Sequence, residues 1–236
     1  MKKFLMVFGS TLLLSAVGSA SIVCPVSTYD IYTSTVNAAG GCTIASNLFS
    51  NFQFANPGST PIAQNTVTVT PVSTPNVGFQ FGVNLNTGTS VNANADVTLS
   101  YSATAAANNG FTGAFLSQVG GFVGTGNATV KDAFCLGSFS AGCAGGTQAN
   151  LQTQQNVIVG MNGQSTATAS FGTPTSIVNV TKDISVTSGT AGSGAISQAT
   201  NTLSQAPTGV PEPVSMFLMG SGLLALGVLG RRSRKV

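Results

Sequence analysis

Between residues 21 and 207 the charged side chains are Asp30, Asp96, Asp132, Asp183, Lys131 and Lys182, and that stretch holds no His, Glu, Arg or Trp. Without histidine, neither a Ser-His-Asp nor a Cys-His nucleophile can be assembled. The carboxylate pair of a glycosidase would have to come from the aspartates, and no local context marks two of them as partners. Asp96, following an Asn-rich turn, reads as a turn or edge residue. Lys131-Asp132 and Lys182-Asp183 read as solvated strand ends. A competing reading gathers some of the aspartates on a calcium ion. The inventory favours no catalytic residue, no metal, no cofactor and a role other than an enzyme's.

The remaining chemistry is sulfur and aromatic. Cys24, Cys42, Cys135 and Cys143 are an even set with no Cys-x-x-Cys spacing and no histidine beside them. In an exported chain they read as disulfides rather than metal ligands. Three pairings are open in principle; the local one, Cys24–Cys42 with Cys135–Cys143, is expected. Phe49, Phe52 and Phe54, and Phe79 and Phe81, resemble a sugar-stacking platform only superficially. Spacing of two along a strand is what a buried sheet face requires, so they are assigned to the core.

The elements that must position these residues are strands. Gly, Asn, Thr and Ser recur too often for long helices, and charged residues make up only 6% of the chain. Alternation predicts strands at 48–54, 66–72, 77–85, 96–104, 127–136, 156–161, 166–171, 176–180 and 183–187. Turn clusters such as Asn56-Pro57-Gly58, Thr74-Pro75-Asn76 and Asn108-Asn109-Gly110 separate several of them. Residues 195–204 are ambiguous between a last strand and a short helix. Short alternating strands with frequent turns favour an all-β fold, an antiparallel β-sandwich of jelly-roll or Ig-like type over residues 21–207. A parallel β-helix is the alternative.

The two ends differ from the body. Lys2 and Lys3, an apolar run and Gly18-Ser19-Ala20 form a secretory signal over residues 1–20, with cleavage between Ala20 and Ser21. At the other end Pro211, Glu212 and Pro213 precede an uncharged apolar segment, 214–230, and a basic tail of Arg231, Arg232, Arg234 and Lys235. A helix over that segment would be about 25 Å long, slightly short of a hydrocarbon core. The basic tail would stay in the cytoplasm, placing the body outside. Removing both ends leaves a body of net charge −2, which has no electrostatic footprint for nucleic acid.

Motif, short helix and Arg-rich tail, in that order over residues 208–236, resemble the PEP-CTERM sorting signal of exported bacterial proteins. The resemblance implies recognition by exosortase, a membrane cysteine transpeptidase, and a transmembrane helix that anchors the chain only transiently. It also implies a destination at the cell surface or in an exopolysaccharide or biofilm matrix. The expected function is therefore a non-enzymatic, secreted surface or matrix protein. The alternative is a carbohydrate-binding or adhesive module, with extracellular polysaccharide as a partner.

Overall fold

The computed structural model describes residues 22–137, 147–154 and 163–208. Thirteen strands are described, in two sheets packed face to face. The first sheet holds β1 (Ile22–Val23), β3 (Cys42–Ile44), β4 (Asn47–Ala55), β7 (Asn94–Thr104), β12 (Ile177–Thr187), β9 (Asn127–Leu136) and β10 (Thr147–Gln154), in that spatial order. The second holds β11 (Gly163–Thr175), β8 (Asn109–Gly124), β13 (Gly192–Pro207), β6 (Val77–Asn86), β5 (Thr68–Val72) and β2 (Ser27–Thr28). All named pairs are antiparallel except β1 with β3. The fold is therefore the expected all-β sandwich.

Alternation places the core between the sheets. Val77, Phe79, Phe81, Val83 and Leu85 of β6 all face inward, as do Val97, Leu99 and Tyr101 of β7 and Val67 and Val69 beside and within β5. The phenylalanines assigned to the core lie there: Phe49, Phe79 and Phe81 are fully buried, Phe52 nearly so, and Phe54 packs against the cluster. Phe49 and Phe52 are three residues apart, a spacing that would send them to opposite faces of a regular strand. A bulge between Ser50 and Gln53 resolves this, with Asn51 in the left-handed region at φ 57°. Asparagine tolerates that conformation better than other non-glycine residues.

Two features depart from expectation and one open reading is settled. The predicted strands at 176–180 and 183–187 are one continuous strand, β12. Residues 195–204 are strand, part of the long β13. A short helical turn, α1 (Tyr29–Ile31) running into a π-helical turn (Tyr32–Val36), packs Tyr29, Tyr32 and Val36 into the aromatic end of the core. There the Tyr32 ring lies 4.9 Å from that of Phe52 and 5.6 Å from that of Phe79. Tyr29 donates its hydroxyl hydrogen bond to the carbonyls of Gln53 (3.1 Å) and Ser100 (3.0 Å).

Cys24 and Cys42 form a disulfide across 18 residues, with Cα atoms 4.7 Å apart. It fixes the N-terminal strand against the β3–β4 hairpin. Cys135 is also disulfide-bonded; Cys143 lies outside the described residues, as do the signal cleavage site at Ala20 and Ser21, the predicted strand at 156–161, the 211–213 motif, the 214–230 segment and the basic tail. Among the described residues no helix is long and apolar enough to cross a membrane.

Candidate functional site

Asp30 lies in α1, and the other charged residues of the body occupy two places. The dipeptides Lys131-Asp132 and Lys182-Asp183 are not solvated strand ends: both lie mid-strand, and β9 and β12 pair them crosswise, Lys182 opposite Asp132 and Asp183 opposite Lys131. Lys182 follows Val180 and precedes Ile184 in the inward phase, and Asp132 lies between Val130 and Phe134 in the same way. Both are therefore in the core, where Lys182 Nζ is 2.6 Å from Asp132 Oδ1 and neither side chain is exposed. Asn201 of β13, from the opposite sheet, donates through Nδ2 to Asp132 Oδ2 at 2.7 Å. Tyr101 of β7 donates its hydroxyl to Asn201 Oδ1 at 2.5 Å. The Phe81 ring lies 6.0 Å from the Lys182 ammonium. Exclusion of water pushes the Asp132 carboxyl up and the Lys182 ammonium down, against the pair's own attraction.

Asp96 and Asp183 come together on the outer face of the first sheet. Asp96 stands opposite Ser185 and Asp183 opposite Thr98, so the two carboxyls are diagonal neighbours, with Lys131 beside Asp183. Asp96 is not an edge residue; its strand lies between β4 and β12. The 56–63 loop lies over it: Thr60 bridges Ala95, and a Cβ added to Gly58 would lie 2.6 Å from the Asp96 nitrogen. Partial burial, then a hydrogen bond with Asp183 and its charge, push the Asp96 carboxyl up to about 7, while Lys131 opposes the rise. Of the aspartates only Asp96 and Asp183 come together, since Asp132 is committed to Lys182 and Asp30 lies in α1. Among the described residues no group of three or more His, Cys, Asp or Glu could hold a metal ion.

A wider surface lies on the outer face of the second sheet. Register aligns Thr70, Gln80, Thr200, Ser117 and Thr166 in one row across β5, β6, β13, β8 and β11. At strand spacing the row runs about 19 Å. The next row carries Thr68, Gly82, Gln198 and Val119, the last exposed. A Cβ on Gly82 would come within 2.4 Å of Thr68 Oγ1, so glycine leaves room for that side chain. On the other side of the row, Phe115 stands opposite Thr202 and Thr168, half-buried. Where the β6–β13 register shifts between Ile196 and Gln198, a shallow open depression of about 260 Å³ is lined by Asn84, Leu85, Asn86, Ala195, Ile196 and Ser197. No charged side chain belongs to these rows or to the depression.

The sequence marked this second surface in part: the predicted strands at 66–72, 77–85 and 166–171 carry Thr70, Gln80 and Thr166. Strand β8 went unrecognised because Gly113, Gly120, Gly121 and Gly124 interrupt its alternation. With β8 placed, Phe115 and Ser117 fall out of phase with the inward Ala114 and Leu116 and so lie on the outer side of the sheet, where Phe115 is half-buried and Ser117 is buried at 5% exposure. The buried ion pair was legible in principle. Extending the alternation of Val180, Ile184 and Val186 through residue 182 puts the lysine inside.

No family model matches the chain, and no curated protein sequence matches it. Solved structures with an overall likeness include TmCBM61 in complex with beta-1,4-galactotriose, at 12% identity and TM-score 0.33, covering 73% of this chain and 98% of that one. Another is the mannan-recognising carbohydrate-binding module TmCBM27, at 9% identity and TM-score 0.29, covering 67% of this chain and 99% of that one. A third is the enzymatically active domain of a bacteriophage CBA120 tailspike protein, at 14% identity and TM-score 0.30, covering 65% of this chain and 19% of that one.

Proposed function

We propose that residues 21–207 form a non-enzymatic carbohydrate-binding module of an exported protein, and that it engages an uncharged polysaccharide on the outer face of the second sheet. The observation that carries this reading is the uncharged row of Thr70, Gln80, Thr200 and Thr166, with Ser117 buried within it, flanked by the outward Phe115 ring. Hydroxyl and amide groups spaced at strand intervals can donate to and accept from sugar hydroxyls. A ring lying among them offers apolar contact to a sugar face. An extended polymer would bridge several strands at once, gaining multivalency from individually weak contacts. The disulfide fits delivery to an oxidising compartment.

Delivery belongs to the ends. In this reading the Pro211, Glu212 and Pro213 motif, the 214–230 helix and the basic tail direct the body through exosortase to the cell surface or matrix, and the helix anchors it only until processing. Binding is tested by Phe115→Ala and Gln80→Ala, both away from the core. Either change should weaken retention on an uncharged polysaccharide at least several-fold while leaving the thermal transition in place. Retention unchanged in the double variant would place the ligand elsewhere or remove it.

A further inference from the structure

Asp132 occupies a position that a simple buried ion pair does not need. One carboxylate oxygen meets the Lys182 amine at 2.6 Å and the other accepts from the Asn201 amide nitrogen at 2.7 Å. The Asn201 carbonyl oxygen, in turn, receives the Tyr101 hydroxyl. A nucleophile, a bridging acid–base group, an amide electrophile and a donor to its oxygen are thus joined in one water-free chain of contacts. All four side chains are fully buried. A lysine–aspartate pair in such a place is costly, because several kcal/mol of desolvation per ion must be recovered from mutual attraction.

We propose that Lys182 and Asn201 become joined by a self-catalysed amide bond between their side chains, which ties the first sheet to the second through the core. Asp132 takes a proton from the Lys182 ammonium, leaving a neutral amine. The amine lone pair attacks Asn201 Cγ, forming the Nζ–Cγ bond and driving negative charge onto Oδ1, where the Tyr101 hydroxyl stabilises it. Asp132 passes its proton to Nδ2, the Cγ–Nδ2 bond breaks, and ammonia leaves as the carbonyl re-forms. Asp132 accepts the second Nζ proton and ends as a neutral acid. The ion pair is thereby replaced by an amide and a carboxylic acid, with charge conserved and no oxidant or cofactor required. Burial acts in the same direction, since it lowers the Lys182 ammonium and raises the Asp132 carboxyl. Asp132 is the poorer electrophile, because its conversion to an amide would leave no second carboxylate in the cluster to carry the protons.

The test is mass spectrometry of the natural protein, reduced and denatured, with its termini determined. The expected mass is lower by one ammonia than those termini require, and digestion yields a branched peptide joining Lys182 to Asn201 that trypsin does not cleave after Lys182. Linear peptides carrying free Lys182 and Asn201 would overturn the proposal. So would ammonia loss without the branched peptide, or loss of one water with Lys182 joined to Asp132. Asp132→Asn should abolish the bond, and Tyr101→Phe should slow its formation by about 10²-fold. A bond that forms in Asp132→Asn at the normal rate would contradict the assigned roles. The result on the unaltered protein does not depend on whether either variant folds.

Discussion

The carboxyl pair on the outer face of the first sheet has a consequence for pH. Asp96 titrates near the ordinary aspartate value in the unfolded chain and at about 7 in the folded one. Between those values the folded state binds more protons, so this group's contribution to stability falls as pH rises through that window. Asp96→Asn removes the titration and keeps the shape. The variant should be more stable than the parent at pH 8, and its denaturation midpoint should fall less between pH 5 and pH 8. A parallel fall in both proteins would remove Asp96 as a contributor. The chain around Asp96 gave no hint of its partner. Asp183 lies far along the chain and becomes a neighbour only through the β7–β12 register, which local alternation does not reveal.

At the scale of elements, the strands with clean alternation were legible and the irregular ones were not. Strands β6 and β7 follow from their own residues because each has one apolar face and one polar face, and β9 follows from its alternation despite the inward Asp132. Strand β8 carries five glycines, and the π-helical turn at Tyr32–Val36 contains β-branched and hydroxylated residues that read as loop. Their structure comes from tertiary packing: β8 is held between β11 and β13, and the turn by burial of its tyrosines. The N-terminal elements are short, and the Cys24–Cys42 bond closes the loop that contains the turn. Replacing both cysteines by serine should lower stability by about 3 kcal/mol in the chain-entropy model. Equilibrium denaturation of oxidised parent and double variant measures this; equal midpoints would mean that packing alone fixes the segment.

Over the whole molecule, charge is unevenly distributed. Six of the eight cations, Lys2, Lys3, Arg231, Arg232, Arg234 and Lys235, lie in the two end segments, and apart from Asp30 in α1 the body carries its few charges paired in the core or clustered on one sheet face. The second sheet is left with an uncharged polar outer surface. Deleting residues 210–236 should leave export intact but misdirect the protein from surface or matrix to medium, as fractionation would show. Unchanged surface association would contradict the sorting role proposed for the ends. The central claim concerns the body, and calorimetric titration of the natural protein with neutral and anionic polysaccharides tests it most directly. Saturable binding to a neutral polymer, little changed between low and high salt, is the predicted result. No saturable heat with any neutral polymer, or binding confined to anionic polymers and lost in salt, would contradict it.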